Sequence, residues 1–121
     1  MAVILIIDDS PTELHLFQNM LEKNGFDTLV ADSGEEGLRQ ARSSNPDCIL
    51  MDVVMPGMNG FHATRKLTQN PDTSGIPVII ITSKDQETDK IWGMRQGAVE
   101  YLVKPIAEKQ LVAKINAVLA V

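Results

Sequence analysis

Five side chains in this sequence could do chemistry together: Asp8, Asp9, Asp52, Thr82 and Lys104. Each follows a short apolar run. Asp8 and Asp9 come after Val3-Ile4-Leu5-Ile6-Ile7, and Asp52 after Cys48-Ile49-Leu50-Met51. Thr82 comes after Val78-Ile79-Ile80-Ile81, and Lys104 after Tyr101-Leu102-Val103. Short apolar runs bounded by turn residues read as buried strands. The carboxyl ends of such strands form the edge at which open α/β sheets bind ligands. A lone acid after one strand could be merely solvated or capping a helix. Three carboxylates, a hydroxyl and an ammonium at a single edge are harder to dismiss.

Two like charges about 4 Å apart repel by roughly 4 kcal/mol at an effective dielectric near 20. Converging acids therefore need compensation, and a divalent cation supplies it. Carboxylates, a backbone carbonyl and waters suit Mg²⁺, with Mn²⁺ as an alternative, and leave coordination positions for phosphate oxygens. Lys104 and Thr82 are donors, and donors beside a cation point to an anionic group held between them. Asp52 comes from the middle strand and is the carboxylate best placed to receive a phosphoryl group. Attack by its oxygen on phosphorus gives an acyl phosphate, with the cation and Lys104 offsetting charge on the phosphoryl oxygens. No base is required, because a carboxylate is already ionised at neutral pH.

Positioning these groups takes five apolar runs alternating with amphipathic segments, a pattern that predicts a parallel sheet with helices on both faces. Ser10-Pro11-Thr12-Glu13 places a capping Ser, a Pro at the first helical position and a Glu three residues past the cap. Leu14, Phe17, Met20 and Leu21 then recur at helical spacing until Asn24-Gly25 stops the helix. A weaker second strand spans Phe26 to Ala31, and Ser33-Gly34-Glu35-Glu36 repeats the start signal. The second helix buries Leu38 and Ala41 and ends at Asn45-Pro46. Asn59-Gly60 begins a third helix with Phe61, Thr64 and Leu67 inward and His62 and Arg65 outward. The fourth helix is expected over Lys84 to Gln96, buried through Ile91, Met94 and Ala98, with Trp92 at its edge. The fifth, from about Glu108, carries Leu111, Ile115, Val118 and Leu119 and ends the chain, so no attached output domain is expected.

The 121 residues suffice for one domain with a real core and no disulfide. The single Cys48 lies in an apolar strand and reads as a small core residue, which fits a reducing, cytoplasmic compartment. The apolar start meets Asp8 too soon for a signal peptide or membrane span. A net charge of -5 without a basic cluster argues against nucleic-acid binding. It gives no reason to expect more than a monomer. His62 has no second His or Cys at ligand spacing and is a weak metal candidate.

Together, Asp8-Asp9, Asp52 before Val54-Met55-Pro56-Gly57, Thr82-Ser83 and Lys104-Pro105 resemble the receiver domain of two-component response regulators, over the whole chain. More closely, Asp9-Ser10-Pro11-Thr12-Glu13 and Lys84-Asp85-Gln86-Glu87-Thr88-Asp89-Lys90 are similar to the stand-alone PilH-type regulators of type IV pilus, twitching-motility chemosensory systems. The resemblance implies a doubly wound, five-stranded parallel sheet of order 2-1-3-4-5 flanked by five helices, forming a single receiver domain over residues 1–121. It implies that Asp52 accepts phosphate from a phosphohistidine on a CheA-like histidine kinase. Asp9 and Asp52 would bind Mg²⁺ directly with the Val54 carbonyl, and Asp8 through water. Lys104 would hold the phosphoryl group, Pro105 would follow a cis peptide, Thr82 would swing onto the phosphoryl oxygens and Tyr101 would change rotamer with it. A downstream protein would then bind the face made by the fourth helix, fifth strand and fifth helix.

Three other readings compete. A phosphohydrolase with an aspartyl nucleophile commonly places an acid two residues further on, where this chain has Val54. A flavodoxin-like cofactor carrier wants glycines and hydroxyls after the first strand, where this chain has two anions. The runner-up is an interaction module that works without phosphorylation, and a phosphate sink for a shared kinase would use the same site chemistry. A phosphoacceptor that is not a turnover enzyme on external substrates is the expectation carried forward.

Overall fold

Val78 to Thr82 is buried along its whole length, as a strand covered on both faces must be. It lies inside a parallel sheet in the computed structural model, which describes residues 1–120. The elements alternate: β1 (Val3–Ile7), α1 (Pro11–Lys23), β2 (Asp27–Ala31), α2 (Gly34–Ser44) and β3 (Cys48–Met51) come first. They are followed by α3 (Gly60–Gln69), β4 (Val78–Thr82), α4 (Glu87–Arg95), β5 (Glu100–Val103) and α5 (Glu108–Leu119). The strand order is β2-β1-β3-β4-β5, with every pairing parallel. This is the doubly wound α/β arrangement expected from the sequence.

Alternation along each strand divides the core in two. Leu5, Ile7, Ile49, Met51, Val78 and Ile80 pack on one side with Ala41, Ala63 and Leu67 from α2 and α3. Ile4, Ile6, Leu50, Ile79 and Ile81 pack on the other with Phe17 and Leu21 of α1 and Leu111 and Ile115 of α5. Each of the Val, Leu, Ile, Met and Phe side chains among these, removed from water, contributes roughly 1.5–3 kcal/mol. Cys48 belongs to the second cluster, and burial pushes its thiol up to about 12. It is an inert core residue.

The helix starts follow the local chemistry. The hydroxyls of Ser10 and Ser33 accept hydrogen bonds from the backbone N–H groups of Glu13 and Glu36, and the Asn59 side chain accepts from His62. The second strand starts one residue later than expected, at Asp27, with Phe26 buried just before it.

The fourth helix departs further from expectation. It starts at Glu87 rather than Lys84 and has no side-chain cap. Ile91 and Met94, expected to bury it, are 45% and 40% exposed, although Ala98 beyond the helix is buried. The helix seats through Gly93 instead: a Cβ there would lie 2.9 Å from Ile80 Cδ1 and 2.9 Å from Tyr101 Cδ2. The contact is made by backbone against strand side chains, so the apolar residues of α4 are left facing outward.

Candidate phosphoacceptor site

Register brings the site together. Ile7 pairs with Met51, so the next residues, Asp8 and Asp52, leave neighbouring strands at the same level. The Asp52 N–H donates to Ile7 O across 2.9 Å and the Asp8 N–H to Ala31 O across 3.1 Å, continuing the sheet by one residue on each side. On the other flank Thr82 pairs with Val103, and the Lys104 N–H donates to Thr82 O across 2.8 Å. Lys104 therefore emerges at the level of the acids.

The carboxylates of Asp8, Asp9 and Asp52 each offer an oxygen, and these oxygens lie within 4.8 Å of one another. It is the one metal-competent cluster among the described residues. Three hard oxygen donors with one side open fit Mg²⁺ in number and chemistry. They border a cavity of about 590 Å³ whose lining includes Glu13, Ser83 and Lys104. Val54, 61% exposed, and Pro105, which follows a cis peptide, also line it.

Lys104 Nζ stands 3.1 Å from Asp8 Oδ2, 3.3 Å from Glu13 Oε1 and 3.5 Å from Asp52 Oδ1. It also lies 5.9 Å from the centre of the Phe17 ring, which closes the apolar side of the pocket. Burial alone would lower the Lys104 ammonium, but Asp52 and Asp8 beside it outweigh this and hold it above its ordinary value. Asp52 is 9% exposed, and burial, reinforced by the Asp8 charge and only partly opposed by Lys104, pushes it up to about 6. The pocket thus holds an acid that is costly to ionise until a cation arrives.

Not every expected residue reaches the cavity. Thr82 is fully buried, and its hydroxyl accepts from the Lys84 N–H across 3.2 Å; Ser83, next to it, lines the cavity instead. Tyr101 lies inward, with its hydroxyl donating to Lys84 O across 2.8 Å. Burial, with Asp89 and Asp85 nearby, pushes that hydroxyl up to about 12.

Glu13 is the member that sequence reasoning missed. Its place three residues past Ser10 reads as a capping partner that reaches back to the Ser10 N–H. That N–H instead donates to Asp8 Oδ1 across 3.0 Å, and the Glu13 carboxylate turns to Lys104. The only signal available was that Asp8 stands two residues before the cap and can take the same donor.

Comparison with known proteins agrees with this geometry. Residues 4–116 match the response regulator receiver domain family. Protein PilH of Pseudomonas aeruginosa is 60% identical over 120 residues, covering 99% of each chain. The alkaline phosphatase synthesis transcriptional regulatory protein PhoP of Bacillus subtilis is 35% identical over 96% of this chain but only 48% of its own length. Among solved structures, the chemotaxis protein CheY4 of Vibrio cholerae superposes with a TM-score of 0.92 at 29% identity, covering 98% of each chain. A response regulator receiver domain protein of Clostridium thermocellum gives 0.91 at 34% identity, covering 99% of this chain and 95% of its own.

Proposed function

We propose that this chain, which belongs to the response regulator receiver domain family, takes a phosphoryl group onto Asp52 from a histidine kinase and thereby switches its binding to a downstream protein. The observation that carries the reading is the placement of one ammonium, Lys104, within 3.5 Å of oxygens from both Asp8 and Asp52, beside a cluster of carboxylates fit for a divalent cation.

In the reaction an Asp52 oxygen forms a bond to phosphorus as the phosphorus–nitrogen bond to the kinase histidine breaks and the imidazole keeps the electron pair. Asp8, Asp9 and Asp52, with the carbonyl of Val54, are the residues that would hold Mg²⁺. When bound, the ion supplies positive charge against the acids and the phosphoryl oxygens. Lys104 moves its donor from the Asp52 carboxylate to the phosphoryl oxygen that replaces it. Thr82 releases the Lys84 N–H and turns its hydroxyl toward the phosphoryl group. The Lys84 segment shifts with it, and Tyr101, bonded to the Lys84 carbonyl, follows.

The partner surface is the face built from α4, β5 and α5. Ile91, Met94 and Val103 are exposed there, apolar area that a bound protein would cover. The 60% identity to PilH supports a chemosensory pathway of pilus motility, with a CheA-type kinase as the donor. No helix among the described residues is long and apolar enough to cross a membrane.

Incubation with Mg²⁺ and acetyl phosphate is expected to add one phosphate to the wild-type chain and none to Asp52→Ala. Equal labelling of both chains, or none of either, defeats the reading. Phosphotransfer from candidate kinases, followed by pull-down with and without a phosphoryl mimic, then identifies the pathway.

A further inference from the structure

The Lys104 ammonium has three N–H donors, and three carboxylates surround it. Two of those acids, Asp8 and Asp52, belong to the cation cluster. Glu13 does not. It reaches in from the first turn of α1, its side chain 31% exposed, and its natural local use as a capping partner is foreclosed because Asp8 already holds the Ser10 N–H. Its carboxylate has been diverted into the pocket.

The consequence is a change in the charge count. Asp8, Asp9, Asp52 and Lys104 sum to -2, which one divalent cation balances. Glu13 adds a further negative charge, held against the ammonium that must serve the phosphoryl group. Phosphorylation of Asp52 adds another negative charge to the same space. A fourth carboxylate should therefore favour the cation and oppose the incoming anion, two effects of opposite sign from one side chain.

We propose that Glu13 is a positioning residue that restrains Lys104 and sets the balance of the pocket between cation and phosphoryl group, favouring the former. The inference rests on Asp52 being the phosphoryl acceptor. It slows, without preventing, labelling by small anionic phosphodonors, which lack the docking contacts with which a protein donor can offset the repulsion.

The test compares wild type, Glu13→Gln and Glu13→Asp. Mg²⁺ alone is titrated and followed by amide NMR shifts. Labelling by acetyl phosphate is then timed at saturating Mg²⁺; here the Asp52–phosphorus bond forms as the bond from phosphorus to the acetate oxygen breaks and acetate leaves. Glu13→Gln is expected to weaken Mg²⁺ binding about fivefold and to speed labelling about fivefold, a modest size because the pair is partly solvated. Glu13→Asp, which keeps the charge, is expected to stay nearer wild type in both. A loss of structure would move both quantities the same way.

Changes of the same sign, or no change in either, overturn the proposal while leaving the receiver reading intact. Failure of wild type to label at all overturns the receiver reading, and this inference with it.

Discussion

The ring of Tyr101 lies under the backbone of Gly93: a Cβ on Gly93 would come 2.9 Å from Tyr101 Cδ2. The Tyr101 hydroxyl is meanwhile tied to Lys84 O across 2.8 Å. One residue of β5 is therefore held both by the loop that leaves β4 and by the helix that follows it. Gly93→Ala gains roughly 1 kcal/mol in helix propensity. It meets an overpacking cost of about 1–3 kcal/mol, because Ile80 and the ring it would press on are both buried. We expect net destabilisation of about 1 kcal/mol in urea unfolding, with a change in the fluorescence of the neighbouring Trp92, which is 49% exposed. A variant as stable as wild type with unchanged emission would show that α4 is not seated on this contact.

Asp52 should make metal-free stability fall as pH rises. Its folded value of about 6 exceeds the ordinary carboxylate value of 3.8, so between these pH values the folded state holds the proton more tightly than the unfolded state. The favourable contribution is present at low pH and is lost as pH climbs through about 6, by roughly 3 kcal/mol in all. With EDTA present, Asp52→Asn is expected to gain stability over wild type at pH 8 and little at pH 4. Parallel profiles for the two chains would contradict the assignment. Mg²⁺ should reverse the order at pH 8 by stabilising the wild type.

Removing the cation tests the other half of the same balance. Lys104→Met leaves Asp8, Glu13 and Asp52 without their shared donor, which should lower metal-free stability by about 1–3 kcal/mol. The same change removes a positive charge that competes with the metal, so Mg²⁺ should bind more tightly and raise Tm further than in wild type. Thermal melts with EDTA and with Mg²⁺ read both effects. An equal Mg²⁺ increment in the two chains would separate Lys104 from the cation site.

Cys48 should be silent in the native chain. Its thiol is fully buried and pushed up to about 12, and the thiolate is the reactive form. Labelling with an aromatic disulfide reagent at pH 8 is expected only at the rate of unfolding, and at once in guanidinium. Rapid native labelling would mean that the core around β3 opens locally.

What could be read before the fold was known depended on what side chains announce. Val78 to Ile81 is apolar and β-branched throughout, so its burial on both faces was legible. The acids at strand ends were legible because parallel pairing puts all carboxyl ends on one edge. The seat of α4 was not, because hydrophobic periodicity counts apolar side chains and Gly93 has none to count. Ile91 and Met94 supplied a convincing stripe that faces outward. Glu13 was hidden for another reason: its local spacing matched a capping partner, and only the tertiary position of Lys104, 91 positions later in the chain, gives it a different neighbour.

Gly60 is where the segment that carries Asp52 is approached most closely by a neighbouring helix. It opens α3, its N–H donates to Val53 O across 2.9 Å, and this close return brings the helix start against the backbone that carries Asp52. A Cβ on Gly60 would stand 1.9 Å from Asp52 O and 2.8 Å from both Asp52 C and Val53 Cα. These neighbours are main chain, held in place by the sheet through the bond from Asp52 N to Ile7 O, so no rotamer change relieves the overlap. Gly60→Ala must therefore push α3 away or displace Asp52 from the level of Asp8. We expect a loss of about 3 kcal/mol or more in urea unfolding, the upper end for overpacking because the clash is with backbone. Whatever folded protein remains should bind Mg²⁺ more weakly than wild type, since the shift falls on a carboxylate of the cluster. Gly75→Ala, whose Cβ would meet nothing within 4 Å, is the matched control and should unfold close to wild type. If Gly60→Ala matched Gly75→Ala in both stability and Mg²⁺ binding, the close approach of the helix to the Asp52 backbone would be wrong, and with it the account of how Asp52 is held at the edge of the sheet.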